Sequence, residues 1–164
     1  MIHHTVGMPP SDPGHDRFMG LALEQARRGL AAGEVPIGAV IVAAGAVVGE
    51  GFNRPVGTVD PTAHAEILAL RAAASALGNY RLPGTTVYVT LEPCLMCVGA
   101  MLSARVATVV YGAPEPKWGA IESILKVGDL AANHRFAVVA GVMEDECRAL
   151  VVDFFRARRE KPAW

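Results

Sequence analysis

The sequence predicts an α/β fold: a three-layer α/β/α domain built around a mixed five-stranded sheet. Three observations lead there. Segments with helical and strand periodicity alternate in the order α-β-β-α-β-α-β-(α)-β-α, the pattern of a sheet covered by helices on both faces. The first two strands are joined by a tight turn, so they form an antiparallel hairpin, whereas the later strands are joined through helices and are expected to run parallel. The 164 residues, 52% of them hydrophobic, can fill one core and leave little room for a second domain.

The opening stretch, "MIHHTVGMPPSDPG", reads as a flexible lead-in over residues 1–14, followed by a single domain over 15–164. A first helix is expected to begin near Ser11 or Asp12, with Pro13 in its first turn. Its apolar stripe runs through Phe18, Leu21, Ala22, Leu23 and Ala26 to Gly29 or Gly33. Strands at about Ile37–Ala43 and Val47–Phe52 then flank a turn at Gly45. The turn-rich "NRPVGTVDPT" leads to Thr62, which reads as the N-cap of a helix reaching about Leu77. After "GNYRLPG" come a strand, "TTVYVTL", the pair Glu92-Pro93, and a short helix from about Cys94. The strand "ATVVYGA", the irregular segment "PEPKWGAIESILKVGD" and the strand "FAVVAG" precede a last helix from about Glu144 to Arg159, with apolar positions Leu150, Val151, Phe154 and Phe155. In parallel sheets ligand sites gather at the carboxyl edge, where the loops before His64 and Cys94 are expected to lie.

A net charge of -1 excludes a globally basic nucleic-acid binder but leaves room for a local basic patch. The longest uncharged run, "VPIGAVIVAAGAVVG", is too short and too broken by glycine and proline to span a bilayer. The N-terminus lacks the basic and apolar regions of a signal peptide, so a cytoplasmic location is expected. Three cysteines cannot all pair. Cys94 and Cys97 stand in C-x-x-C spacing, which in such a setting favours metal or redox chemistry over a structural disulfide.

Cysteines three apart at a helix start share one face, and the helix dipole there favours thiolate. His64, at another helix start, can supply a third ligand. A Cys2His set leaves the fourth tetrahedral position of one Zn2+ per chain open to water, which is the arrangement of a catalytic site. A carboxylate two residues after the histidine does not face it across a helix. If the helix points its N-terminus at the metal, however, first-turn residues ring the axis, and Glu66 reaches the water without ligating. Zinc lowers the pKa of such a water to about 7, and a general acid/base contributes roughly 10²–10⁴ in rate. Glu66 is therefore the expected catalytic proton shuttle of a metal-assisted hydrolysis.

"HAE" followed by "PCLMC" matches the signature of zinc-dependent nucleobase deaminases. In order and spacing, "EVPIGAVIV", "GEGFNRP", "DPTAHAEILALR", "NYRL", "VYVTLEPCLMCVGAM", "NHR" and "DFFRARR" resemble the bacterial tRNA-specific adenosine deaminases of TadA type, within the cytidine/deoxycytidylate deaminase superfamily. The resemblance runs from about Phe18 to Arg159 and implies a cytidine-deaminase-like fold. It also implies a homodimer that deaminates adenosine to inosine at the wobble position of a tRNA anticodon stem-loop, zinc-bound hydroxide attacking C6 of the base. By the same resemblance Asn53 contacts the target nucleoside, and Ala65 and Pro93 line the base pocket. After "VVYGA" the family usually carries an aspartate and, a few positions on, a small residue. Here stand Glu115 and Trp118, so a contact to the ribose 2′-hydroxyl is expected to be loosened, with Trp118 either stacking on a splayed base or packing under its loop.

Several residues keep two readings at this level. The end of the last helix, with Phe154, Arg156, Arg158, Arg159 and Lys161, is either an RNA phosphate contact or a solvated helix terminus. His134 caps a turn or offers a fourth ligand, the first being favoured, and Cys147 is read as a buried apolar residue. The segment "CLMCVGAMLS" is apolar nearly all round, which favours dimerisation. Two other functions fit parts of the pattern: a guanine or pyrimidine deaminase with the same signature, and a non-catalytic RNA-binding domain stabilised by zinc, which needs a fourth protein ligand.

Overall fold

The computed structural model describes residues 13–161. The expected lead-in lies outside them except for Pro13 and Gly14, which open the first helix, α1 (Pro13–Ala31). Then come β1 (Gly38–Ala43), β2 (Ala46–Phe52), a single helical turn α2 (Pro55–Thr58), α3 (Ala65–Leu77), β3 (Thr86–Leu91), α4 (Leu95–Ala104), β4 (Thr108–Ala113), β5 (Ala137–Ala140) and α5 (Glu144–Arg159). The sheet has the order β2-β1-β3-β4-β5. β1 is antiparallel to both its neighbours, and β3, β4 and β5 run parallel. The mixed five-stranded sheet is thus as expected.

Alternation along the strands divides the core. Ala39, Ile41, Val87, Val89, Val109 and Tyr111 pack with α3 and α4 on one face. Val40, Val42, Tyr88 and Val110 pack with α1 and Cys147 of α5 on the other. The hairpin turns on Ala44 and Gly45, both at positive φ (49° and 78°), as a two-residue turn matched to strand twist requires. Gly49 and Gly51 let β2 touch the backbone of α3: a Cβ on either would stand within 2.4 to 2.7 Å of the carbonyl oxygens of Ala69 or Ala65.

Thr62 is not the cap of α3. His64 is the N-cap residue, and the Thr62 amide and hydroxyl both donate to Oδ1 of Asp60, at 2.8 and 2.7 Å. The Asp60 carboxylate has captured Thr62 in a local turn that competes with helix initiation. On α5, Phe154 is buried, but Phe155, read as part of the apolar stripe, is 43% exposed. α2 ends on Val59 at φ 51° and 90% exposed, a left-handed conformation that strains a β-branched residue by roughly 1–3 kcal/mol. Val59→Asn, which tolerates that conformation, is expected to raise the melting temperature by roughly 2–4 °C. A melting point at or below wild type counts against strain at this residue.

Candidate active site

His64 and Cys94 are the N-cap residues of α3 and α4, both with extended backbone, and neither side chain caps its own helix. Each is therefore free to turn toward the other helix end. Nδ1 of His64 lies 3.6 Å from Sγ of Cys94 and 3.5 Å from Sγ of Cys97. These spacings fit a metal. A nitrogen and a sulfur bound to one tetrahedral zinc, at about 2.0–2.1 and 2.3 Å, stand about 3.6 Å apart. Among the described residues these three form the one group of His, Cys, Asp and Glu side chains placed to hold a metal ion.

The electrostatics suit a cation. The Cys94 thiol is depressed to about 4, first by a hydrogen bond from the Cys97 thiol and then, against the cost of burial, by His64. That same bond, with burial, pushes Cys97 far up, and the bond to Cys94 raises His64 above its ordinary value. Two thiols and an imidazole within hydrogen-bonding distance of one another carry protons that a metal would have to displace. A soft or borderline cation replaces those protons with metal bonds.

Glu66 is buried in the first turn of α3, where burial raises its carboxyl pKa and the Cys97 thiol is a hydrogen-bond partner. Burial there favours the protonated form of the carboxyl more than water would. Ala65 and Pro93, beside the histidine and the first cysteine, are also buried. Asn53, 6% exposed, follows β2, with its amide donating to the Ile37 carbonyl at 3.0 Å. The next amide, Arg54, donates to Ala63 at 2.9 Å and ties the end of β2 to the chain entering His64.

Two carboxylates that the sequence reading passed over shape the surroundings. Glu34, buried, accepts the amides of Val56 at 3.4 Å and Gly57 at 2.6 Å and anchors the turn after Asn53. Glu92, 3% exposed, accepts the amides of Glu115, Ile121, Glu122 and Ser123 and the Ser123 hydroxyl. Burial pushes the Glu92 carboxyl up, yet these bonds outweigh it and hold its pKa below the usual value. The available signal was a charge set in an apolar run, in "EVPIGAV" and "TLEPC".

Trp118 is 70% exposed, which places its ring outside the core of its loop. Glu115 is half-buried and its Oε1 accepts the Lys117 amide at 2.9 Å, so the carboxylate already serves a turn. Phe154 and Arg158 lie in the other helical layer. There the guanidinium sits 4.7 Å from the Phe154 ring centre and donates to the Gly33 carbonyl at 3.1 Å. His134 pairs with the Val106 carbonyl at 2.8 Å, and Cys147 is buried against Gly112, as expected of a structural residue.

Residues 13–113 match the cytidine and deoxycytidylate deaminase zinc-binding region. The chain is 47% identical over 148 residues to a tRNA-specific adenosine deaminase of Haemophilus influenzae, covering 89% of this chain and 86% of that protein. It is 42% identical over 145 residues to one of Bacillus subtilis, covering 88% and 90%. A solved structure from work on A-to-I editing by tRNA:A34 deaminases at the wobble position of transfer RNA is similar with a TM-score of 0.80. It is 45% identical, and the match covers 82% of this chain and 98% of that one. A guanine deaminase from Nitrosomonas europaea is similar with a TM-score of 0.71 at 26% identity, covering 94% and 96%.

Proposed function

Since this chain belongs to the cytidine and deoxycytidylate deaminase zinc-binding family, we propose that it is a zinc-dependent tRNA adenosine deaminase, converting adenosine to inosine at the wobble position of an anticodon stem-loop. The observation that carries this reading is the three-atom cluster at two helix ends, with a buried carboxyl beside it. His64, Cys94 and Cys97 hold the zinc. When bound, a zinc ion so ligated supplies a Lewis acid that lowers the pKa of water to about 7. Glu66 takes a proton from the attacking water and delivers it to a ring nitrogen of the adenine; it then takes the second water proton, from the new C6 hydroxyl, and gives it to the amine, which leaves C6 as ammonia. Water in and ammonia out balance the reaction. Asn53 orients the nucleoside, and Ala65 and Pro93 pack beside the base and keep bulk water from it.

Glu115 and Trp118 meet the substrate loop at its rim, the exposed indole offering a stacking face. Phe154 and Arg158 form a more distant contact, where the Arg158 charge can meet a phosphate. The protein acts as a homodimer in the cytoplasm. Exposed Leu95 and Met96 on α4 supply apolar surface for the partner copy, and among the described residues no helix is long and apolar enough to cross a membrane. The guanine deaminase reading has a structural neighbour at 26% identity but lacks the 42–47% identity found with the tRNA enzymes. The structural-zinc reading lacks a fourth protein ligand among the described residues.

The test is direct. A tRNA transcript with adenosine at the wobble position is expected to yield inosine there and one ammonia per inosine, while free guanine and cytidine are left unchanged. Light scattering on the same sample is expected to give the mass of two chains. Release of ammonia from guanine with none from the transcript assigns the neighbouring activity instead.

A further inference from the structure

Glu92 takes part in no proton transfer and touches no proposed ligand atom, yet it is the most heavily hydrogen-bonded side chain near the site. Its Oε1 accepts three successive amides, Ile121 at 3.1 Å, Glu122 at 2.8 Å and Ser123 at 3.0 Å. Its Oε2 accepts the Glu115 amide at 3.0 Å and the Ser123 hydroxyl. The segment so gathered is laced to the metal-binding strand end as well. The Ala120 amide donates to the Pro93 carbonyl at 2.8 Å, and Gly119 pairs with Cys94 in an isolated antiparallel bridge. Gly119 has no room for a side chain, since a Cβ there would lie 2.3 Å from the Glu92 carboxylate and 2.6 Å from the Glu115 carbonyl oxygen.

We infer that Glu92 is a positioning residue that fixes the Glu115–Ser123 segment, and with it Trp118, as a preformed wall of the substrate site. The inference rests on the proposed tRNA activity. Without the carboxylate, five donors spread over nine residues lose a common acceptor, and a segment with little regular structure of its own has to be ordered by the substrate at each encounter. Binding then carries the ordering cost, while the zinc ligands and Glu66, held by α3 and α4, keep their places. Glu92→Gln discriminates between the two oxygens. Its amide oxygen can keep the Ile121–Ser123 bonds, but its NH2 faces the Glu115 amide, donor against donor, so the Trp118 half of the segment is released first.

The experiment uses full-length protein with Trp164→Phe, so that Trp118 is the one fluorophore of its kind, and an anticodon stem-loop substrate. Glu92→Gln is expected to raise KM about tenfold with kcat within about threefold, to leave one zinc per chain, and to increase quenching of Trp118 by acrylamide. Ser123→Ala, which leaves the carboxylate in place, is expected to raise KM about twofold to threefold in the same direction. It decides the matter should Glu92→Gln fail to fold. Unchanged KM in both variants, or a fall in kcat at constant KM, overturns the inference. If wild type makes no inosine from the stem-loop, the functional reading fails, and the quenching comparison alone supports or overturns the clamp.

Discussion

Glu66→Gln is expected to keep the fold and bind one zinc per chain while losing roughly 10²–10⁴ in turnover. The amide matches the carboxylate in size and can still meet the Cys97 thiol, but it cannot take a proton from water or pass one to a leaving amine. Single-turnover inosine formation at saturating tRNA, with metal analysis of the same sample, separates lost chemistry from lost zinc. Turnover within about threefold of wild type would move the proton transfer to another group. A stability effect of opposite sign accompanies the loss. In metal-free protein, burial raises the Glu66 pKa above its unfolded value, so ionisation penalises the folded state as pH rises through the ordinary carboxylate value of about 4.3. Metal-free Glu66→Gln should therefore melt at or above metal-free wild type at pH 7, the gap closing below about pH 4.

Removing the metal is expected to abolish deamination and to lower the melting temperature together. Zinc at a thousandfold over its dissociation constant contributes about 4 kcal/mol to the folded state, or roughly 8–16 °C for a chain of this size. Added zinc should restore both quantities in wild type. Cys97→Ala, which removes a buried ligand, should show the same loss with no recovery. Chelated protein that keeps both its activity and its melting temperature would exclude zinc from the reaction and from the fold.

His64, Cys94 and Cys97, which the fold brings together, and Glu66 beside them stood out in the sequence because the spacing within each motif is local, and each motif sits where a strand or loop gives way to a helix. α5 was legible in place and approximate extent from its apolar positions, and three acidic residues open its first turn while three arginines close its last. Thr62 misled because a side chain two residues earlier, Asp60, outbid the helix for its hydrogen bonds. α2 is too short to show a period. The role of Glu92 was illegible for a different reason: its donors stand 23 to 31 residues further along the chain, and nothing local announces that they return to it. Whether Trp118 stacked or packed was equally undecidable, since an irregular segment assigns no face to its residues.

The glycines of β2 have a consequence for the precision of the chemistry. A helix resting on side chains inherits their rotamer choices, and its end wanders as they repack. α3 rests instead on bare backbone at two places, Gly51 beneath Ala65 and Ala69, and Gly49 beneath Ala69 and Ala73. Two supports about one turn apart set both the height and the pitch of the helix, so the sheet acts as a rigid bearing for it. His64 and Glu66 project from the end of the helix nearest Gly51, where the supports leave the least play. In a reaction where a misplacement of about 1 Å can cost roughly 10²-fold in rate, alignment at that end is supplied by side chains that are absent.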